Sequence, residues 1–239
     1  MSQSSPAGSV CANCTTRTAG PSQQASTPAS ELRRPLQPSD EYEEVGFLPW
    51  LRADVRTWCS GRSWAVRLPL LLYFLYGVFM HISSELPYRS IFDGINLGIH
   101  ELGHPLFAPF GDLLGAAGGT ITQCLAPFAS ALMFLRQRDY FAISVCSCWL
   151  ATNFWGVAIY AADARALQLN LVAPGMGMVP ASEGTISHDW EFMLGQLGWL
   201  KYDTGIAAGF QFAAVACLTL GLGLGGWLLV QMARSPRDS

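Results

Sequence analysis

The chain has 239 residues, of which 51% are hydrophobic and only 13% are charged. Soluble domains carry about a quarter charged residues, so this composition excludes an ordinary soluble domain and predicts an integral membrane protein. The net charge of −3 gives no electrostatic basis for binding nucleic acid, which we exclude as a partner. The lipid bilayer is the expected partner.

The first 45 residues differ from the rest of the chain in composition. They are rich in Ser, Thr, Pro, Gln and Gly and contain almost no large apolar side chains. Such a segment cannot bury enough apolar surface to offset the entropy lost on ordering. We predict a disordered cytoplasmic tail over residues 1–45, a membrane domain over residues 46–233 and a short C-terminal tail over residues 234–239. No apolar stretch at the start indicates a cleavable signal peptide.

Four apolar stretches have the length and composition of membrane helices. They cover residues 64–82, 120–135, 140–162 and 205–232. The first is preceded by residues 47–64, where aromatic residues alternate with arginines and predict an interfacial segment. These stretches predict an all-α fold, a polytopic membrane helix bundle with four to five membrane helices.

Two further segments complete the predicted fold. Residues 163–186 contain many Pro and Gly residues, which predict a loop. The sequence "SHDWEFMLGQLGWL" that follows has a helical pattern of apolar residues. Ser187 is its predicted N-cap, and acidic residues occupy the first turn.

The segment from residue 91 to residue 119 is apolar overall but carries six polar or charged side chains. These are Asp93, Asn96, His100, Glu101, His104 and Asp112. Such a segment cannot face lipid along its length. It must be enclosed by other helices or line a wet cavity, either as a half-inserted element or as a buried complete span.

The loop charges favour the half-inserted arrangement. Arginines precede the first membrane helix and follow the helices at 120–135 and 205–232. If residues 91–119 enter the membrane and return on the same side, all these arginines lie on one side of the membrane. By the positive-inside rule, that side is the cytoplasm. Both termini are then cytoplasmic. A complete crossing by residues 91–119 would instead place the later arginines outside.

The sequence "HELGH" within this segment is an instance of H-E-x-x-H. Residues four apart lie on one face of a helix, so His100 and His104 can bind one metal ion. Glu101 projects beside them and can take a proton from water as a general base. Zinc is the expected cofactor, because imidazole suits it and it brings no redox chemistry.

A third metal ligand has to come from elsewhere in the chain, because a catalytic zinc keeps three protein ligands and one open position. The sequence "SHDW" offers His188, our first choice, and Asp189. Asp112 is a further alternative. His81, at the end of the first membrane helix, is expected to cap that helix or line the cavity.

Other polar side chains could line the same cavity. Gln123 and Asn153 lie in membrane helices, where they could donate hydrogen bonds to a substrate carbonyl or bridge helices. Asp163 and Arg165 lie at a helix exit. A salt bridge between these two residues could hold the loop, or Asp163 could orient a ligating histidine.

At "NLGIHELGHPLFAPFG", residues 96–111, the chain resembles the site-2 protease class of intramembrane zinc metalloproteases. That class places H-E-x-x-H in a membrane helix, with both histidines and a distant aspartate as ligands. The resemblance implies that His100 and His104 are ligands and that Glu101 is the base. The Asp-Gly motif of the class is absent downstream, and the chain's Asp93–Gly94 lies upstream instead.

The combination of "HELGH", "YAADAR" and "HDWEFML" also resembles a group of small, uncharacterised bacterial membrane proteins. This second resemblance covers residues 90–200 and implies no activity. It implies a location in the bacterial inner membrane.

The leading functional hypothesis is therefore a zinc-dependent intramembrane hydrolase, specifically a metallopeptidase that acts on a membrane protein or peptide substrate. One alternative is a metal-binding transporter or sensor that uses the same histidines without turnover. Another is a structural membrane protein in which the polar side chains lock the helices together.

Overall fold

The structure is a computed structural model that describes residues 46–83, 91–173, 177–184 and 187–235. Within these ranges 79% of the residues are helical, which confirms the all-α fold class. The predicted disordered tail of residues 1–45 and most of the short C-terminal tail lie outside the described residues, as does the side chain of His81.

The described ranges contain seven α-helices. In chain order they are α1 (Phe47–Cys59), α2 (Leu68–Ser83), α3 (Asp93–Phe107), α4 (Asp112–Arg136), α5 (Tyr140–Ala162), α6 (Asp189–Gln196) and α7 (Asp203–Arg234). By length and composition, α4, α5 and α7 are long and apolar enough to cross a membrane. The 16 residues of α2 and the 15 of α3 extend about 24 Å and about 22 Å. Both are shorter than the ~30 Å hydrocarbon core of a bilayer.

The first apolar helix is shorter than predicted. The sequence suggested a helix over residues 64–82, but α2 begins at Leu68. Residues 65–67 form turns instead. Pro69 explains the late start, because proline is tolerated in the first turn of a helix and breaks a backbone hydrogen bond further in.

The predicted loop at residues 163–186 contains an antiparallel hairpin. Its strands are β1 (Asn170–Ala173) and β2 (Gly177–Pro180), with Leu171 opposite Val179. Four-residue strands are too short to show a two-residue hydrophobic period. The sequence pattern therefore reflected the surrounding Pro and Gly residues, which is why a loop was predicted and the hairpin was not.

An antiparallel pair, α5 and α7, forms the centre of the bundle. A Cβ atom at Gly221 of α7 would lie 2.6 Å from the sulfur of Cys148 on α5. At the other end of the pair, the rings of Phe154 and Phe210 lie 5.9 Å apart. Small residues such as Gly221 let the backbones of two apolar helices approach each other closely.

The amphipathic helix α1 lies across one end of this bundle. Its buried residues Val55 and Cys59 pack in a cluster with Leu228 and Met232 near the end of α7. Asp54 accepts a 3.0 Å hydrogen bond from Arg138, in the turn between α4 and α5. We call this end of the molecule the arginine end. Its arginines are Arg52, Arg56, Arg62, Arg67, Arg136, Arg138 and Arg234.

The opposite end, here the α6 end, is where α5 finishes and α7 begins. Trp190 of α6 packs there in a cluster with Val157 and Ala207. Arg165 donates a 2.6 Å hydrogen bond to the buried carboxylate of Asp203 at the start of α7. This ion pair connects the segment that follows α5 to the start of α7.

Helix α3 runs beside only the half of α5 that leads to the α6 end. Near its start, Asn96 accepts a 2.7 Å hydrogen bond from the indole of Trp149, in the middle of α5. The backbone N–H of Ile91 donates to the hydroxyl of Tyr73 on α2 at 2.7 Å. From there α3 runs outward and ends at Phe107, after which α4 turns back. The helix α3 therefore covers only about half the length of α5.

Candidate metal centre

Helices α3 and α4 pack at backbone distance because glycines face each other. A Cβ atom on Gly103 would overlap the carbonyl group of Gly118, and one on Gly118 would overlap the carbonyl of Gly103. Gly111, with φ of +101°, makes the reversal between the two helices. A Cβ atom on Gly119 would lie 2.6 Å from the imidazole of His100. The glycines of α4 therefore make the space in which the H-E-x-x-H segment lies.

Each histidine of the motif is oriented through its Nδ1 atom. The Nδ1 of His104 lies 2.9 Å from the carbonyl oxygen of Gly115. Because a carbonyl can only accept, this Nδ1 carries the proton, and the Nε2 of neutral His104 carries a lone pair. The Nδ1 of His100 makes the equivalent bond to Oε1 of Gln123 at 2.8 Å. Such outer hydrogen bonds are typical of metal-ligating histidines.

One carboxylate oxygen faces both Nε2 atoms. Oδ2 of Asp189 lies 3.2 Å from Nε2 of His100 and 3.5 Å from Nε2 of His104. Three lone-pair atoms at this separation repel unless a proton or a cation lies between them. Ligand atoms 2.0–2.1 Å from a tetrahedral zinc ion lie about 3.3 Å apart. Two imidazole nitrogens and a carboxylate oxygen at these distances are groups that could hold a metal ion.

Tyr160 holds Asp189 in place. Its hydroxyl accepts a 3.1 Å hydrogen bond from the backbone N–H of Asp189 and donates to Oδ2 of the same residue at 3.4 Å. Sequence analysis missed Tyr160. Its position in "YAADAR", three residues before Asp163, was the available signal, but no spacing rule links α5 to the first residue of α6, 29 residues downstream.

His188, the first-choice third ligand, faces away from the motif. Its Nδ1 accepts a 3.2 Å hydrogen bond from the N–H of Glu191, so His188 and not Ser187 is the N-cap of α6. Its Nε2 lies 3.6 Å from Oδ2 of Asp163. Burial lowers the pKa of His188, which favours the neutral ring that this cap requires. The side chain of His188 is therefore directed toward the first turn of α6. The next residue, Asp189, which was the second candidate, points to His100 instead.

Asp163 organises the loop in a different way from the predicted salt bridge. Its carboxylate accepts hydrogen bonds from the backbone N–H groups of Gln168 and Leu169, at 2.8 and 3.0 Å. Arg165 pairs with Asp203 instead, so the predicted pairing of Asp163 with Arg165 is wrong. Asp163 orders the chain that enters β1, and its Oδ2 lies 3.6 Å from Nε2 of His188.

Asn153 and Gln123 bridge helices in the structure. Oε1 of Gln123 faces His100, and Nδ2 of Asn153 donates a 2.6 Å hydrogen bond to the backbone carbonyl of Gln123. That carbonyl lacks a helical donor, because Pro127 four residues later has no N–H. Of the two predicted roles for these amides, the structure shows bridging.

Glu101 and Asp112 occupy different positions relative to the histidine pair. Glu101 is exposed, and its carboxylate oxygen and a ring nitrogen of His100 and of His104 all lie within 4.8 Å of one another. Asp112, at the first position of α4, is exposed and lines a smaller cavity of about 410 Å³, together with His104 and Asp189. Asp189, which approaches the Nε2 atoms of both rings, is better placed for ligation than Asp112.

A cavity of about 790 Å³ opens beside the histidines. Its polar end contains His100, Glu101, His104 and Asp189, and its remaining wall is largely apolar. The residues of that wall include Phe74, Val78, Trp155, Ile159, Val172 and Met178. The volume suits a drug-sized molecule or a short extended peptide.

Together, the fold and this site define a helical bundle with three candidate membrane spans and a possible His–Glu–His metal centre. No known protein family, curated protein or solved structure matches the chain.

Proposed function

We propose that this chain is a zinc-dependent intramembrane metallopeptidase of the bacterial inner membrane. The observation that carries the proposal is the approach of Oδ2 of Asp189 to the Nε2 atoms of both motif histidines. His100, His104 and Asp189 are the metal ligands in this proposal, and Glu101 is the general base.

Each residue of the site has a distinct part in hydrolysis. Bound zinc supplies a Lewis acid that lowers the pKa of water and polarises a carbonyl. Glu101, exposed to the cavity, accepts a proton from the attacking water and returns it to the leaving amine. Gln123 and the carbonyl of Gly115 orient the two rings through their Nδ1 atoms, so that both Nε2 atoms, together with Asp189, would hold the metal.

The resemblance to the site-2 protease class supports the ligand set. That class uses a distant aspartate with the two histidines, and Asp189 lies 89 residues after His100. Here the aspartate comes from a helix N-terminus instead of an Asp-Gly motif.

The hairpin favours a peptide over another amide or an ester as substrate. Four consecutive residues, from Leu169 to Val172, line the cavity. Since successive side chains of a strand point to opposite faces, the backbone edge of β1 forms part of the cavity wall. The N–H of Ala181 bonds to the carbonyl of Leu169. Because antiparallel pairs alternate, Asn170 and Val172 then direct their backbone groups to the open edge. An extended peptide can pair with such an edge.

The proposed topology places α4, α5 and α7 across the bilayer, has the chain cross once more through α2 together with the turns that precede it, and leaves α3 half-inserted. The arginine end is cytoplasmic by the positive-inside rule, which puts both termini in the cytoplasm. The start of α1 and the end of α7 lie at that end. The metal site then lies in the opposite half of the membrane and opens toward the periplasm.

The test uses purified full-length protein in lipid nanodiscs, with metal content and hydrolysis measured separately. Wild type and Glu101→Gln should both contain stoichiometric zinc by elemental analysis, whereas His100→Ala should not. A library of quenched-fluorescent apolar peptides should be cleaved by wild type alone. Full activity of Glu101→Gln, or a zinc content that His100→Ala does not change, would contradict the proposal.

A non-catalytic metal-binding protein, such as a transporter or sensor, is the second candidate. It is favoured by the proximity of Glu101 to both histidines, because Glu101 together with Asp189 would complete the four-ligand set of a closed site. The Glu101→Gln variant distinguishes this candidate from the metallopeptidase, because it should weaken zinc binding if Glu101 is a ligand. In that case wild type should also cleave no peptide.

A further inference from the structure

The arginine end carries cationic side chains that have no acidic partner among the described residues. Arg138 pairs with Asp54, and the guanidinium group of Arg62 lies 4.3 Å from the centre of the Trp58 ring. Four arginines remain exposed without such contacts. They are Arg52 and Arg56 on α1, Arg136 at the end of α4 and Arg234 at the end of α7.

The first turn of α1 adds exposed apolar surface to this charge. Phe47 is 70% exposed, Leu48 65% and Trp50 45%, although the opposite face of α1 buries Val55 and Cys59. Large apolar side chains beside arginines on a helix that does not cross the bilayer are typical of an interfacial helix. Because α1 lies across the ends of the candidate spans, it lies where those helices would leave the hydrocarbon.

The α6 end has the opposite charge. Its acidic residues are Asp112, Asp163, Glu183, Asp189, Glu191 and Asp203. The cations described there are Arg165, which pairs with Asp203, and Lys201. An anionic surface is therefore complementary to the arginine end alone.

We propose that α1 and the four exposed arginines form a binding surface for the headgroups of anionic phospholipids. The guanidinium groups donate to the lipid phosphates, while the first turn of α1 inserts among the acyl chains. Each arginine near an anionic membrane surface contributes about 1 kcal/mol. The surface is independent of the metal centre, which lies at the other end of the bundle.

The experiment titrates full-length protein in non-ionic detergent micelles with phosphatidylglycerol and, separately, with phosphatidylcholine. Bound lipid is counted by native mass spectrometry. Wild type should bind phosphatidylglycerol in preference, and added salt should weaken that binding. Removing the two α1 charges in Arg52→Gln/Arg56→Gln should weaken it about 25-fold, from about five-fold per arginine. Lys201→Gln, at the other end, is the matched control and should leave the affinity unchanged.

Two further measurements distinguish a lipid surface from a simple phosphate site. Glycerol phosphate, which lacks acyl chains, should not displace the lipid at matched concentration, and Phe47→Ser/Trp50→Ser should weaken lipid binding. The pair Arg136→Gln/Arg234→Gln should reproduce the loss without altering α1. Equal affinity for the two lipids, displacement by glycerol phosphate, or arginine variants that behave like Lys201→Gln would overturn the proposal.

Discussion

Asn153 on α5 donates a 2.6 Å hydrogen bond to the backbone carbonyl of Gln123 on α4, one helical turn before Pro127. The proline removes the N–H that would otherwise satisfy this carbonyl, and the amide of a neighbouring helix replaces it. The same glutamine orients His100 through its side chain. A helix irregularity is thus linked to the candidate metal centre by two consecutive hydrogen bonds.

The first prediction concerns this link. Asn153→Leu should lower the free energy of unfolding by about 1–3 kcal/mol, because it leaves a buried carbonyl without a donor. In a Pro127→Ala background the same substitution should have a smaller effect, since an alanine at that position can supply the missing N–H. Unfolding in detergent, followed by circular dichroism, measures both. An equal effect in the two backgrounds would show that the carbonyl is not the cause.

The second prediction concerns the space beside His100. Gly119→Ala adds a methyl group 2.6 Å from the imidazole, so the ring must leave the position that Gln123 and Asp189 define. We expect zinc affinity to fall about 10–100-fold, as when outer partners of a ligating histidine are lost. Competition with a chromogenic chelator measures the affinity. Gly223→Ala, where a methyl group meets nothing within 4 Å, is the control and should bind zinc like wild type.

The third prediction separates two neighbouring candidates for the third ligand. Asp189→Asn should strongly reduce zinc affinity, because it replaces the anionic ligand with a neutral amide of the same shape. His188→Asn should leave zinc bound, because asparagine is a good N-cap and can accept from the N–H of Glu191. The same chelator competition decides between them. Loss of zinc in His188→Asn together with retention in Asp189→Asn would restore His188 as the ligand.

The fourth prediction concerns Tyr160. Tyr160→Phe removes the hydroxyl that bonds to both the backbone and the carboxylate of Asp189, and we expect about a ten-fold loss of zinc affinity. Because Tyr160 acts through Asp189, the loss should largely disappear in an Asp189→Asn background. Additive losses in the double variant would mean that Tyr160 acts on the site by another route.

Local patterns in the sequence predicted much of this protein. The apolar stretches gave α4, α5 and α7 within a few residues, apart from the longer start of α4. The four-residue spacing of His100 and His104 placed both rings on one helical face. These features depend on neighbours within one or two turns, and helical periodicity alone determines them.

The third candidate ligand could not be predicted in this way. Whether His188 or Asp189 faces the histidines depends on which of them caps α6, and adjacent residues on a helix point about 100° apart. The sequence offered both residues as candidates but placed the N-cap at Ser187 and not at His188, so it could not show which of the two side chains would face the histidines. The contact between Arg165 and Asp203 joins two elements 38 residues apart, and no local pattern encodes it.

The half-length of α3 has a consequence for how the protein is made. In the proposed topology, a 15-residue helix with two histidines and a glutamate would not be stable in lipid by itself, so it would insert only after the glycine face of α4 has been synthesised. Asp189 follows only after α4 and α5 have both left the ribosome. Until then the nascent chain would present two histidines without their carboxylate partner, and under the proposed function it would bind metal weakly. Under the proposed function, full affinity would arise only when α6 docks, so metal loading would be a late step that follows completed assembly.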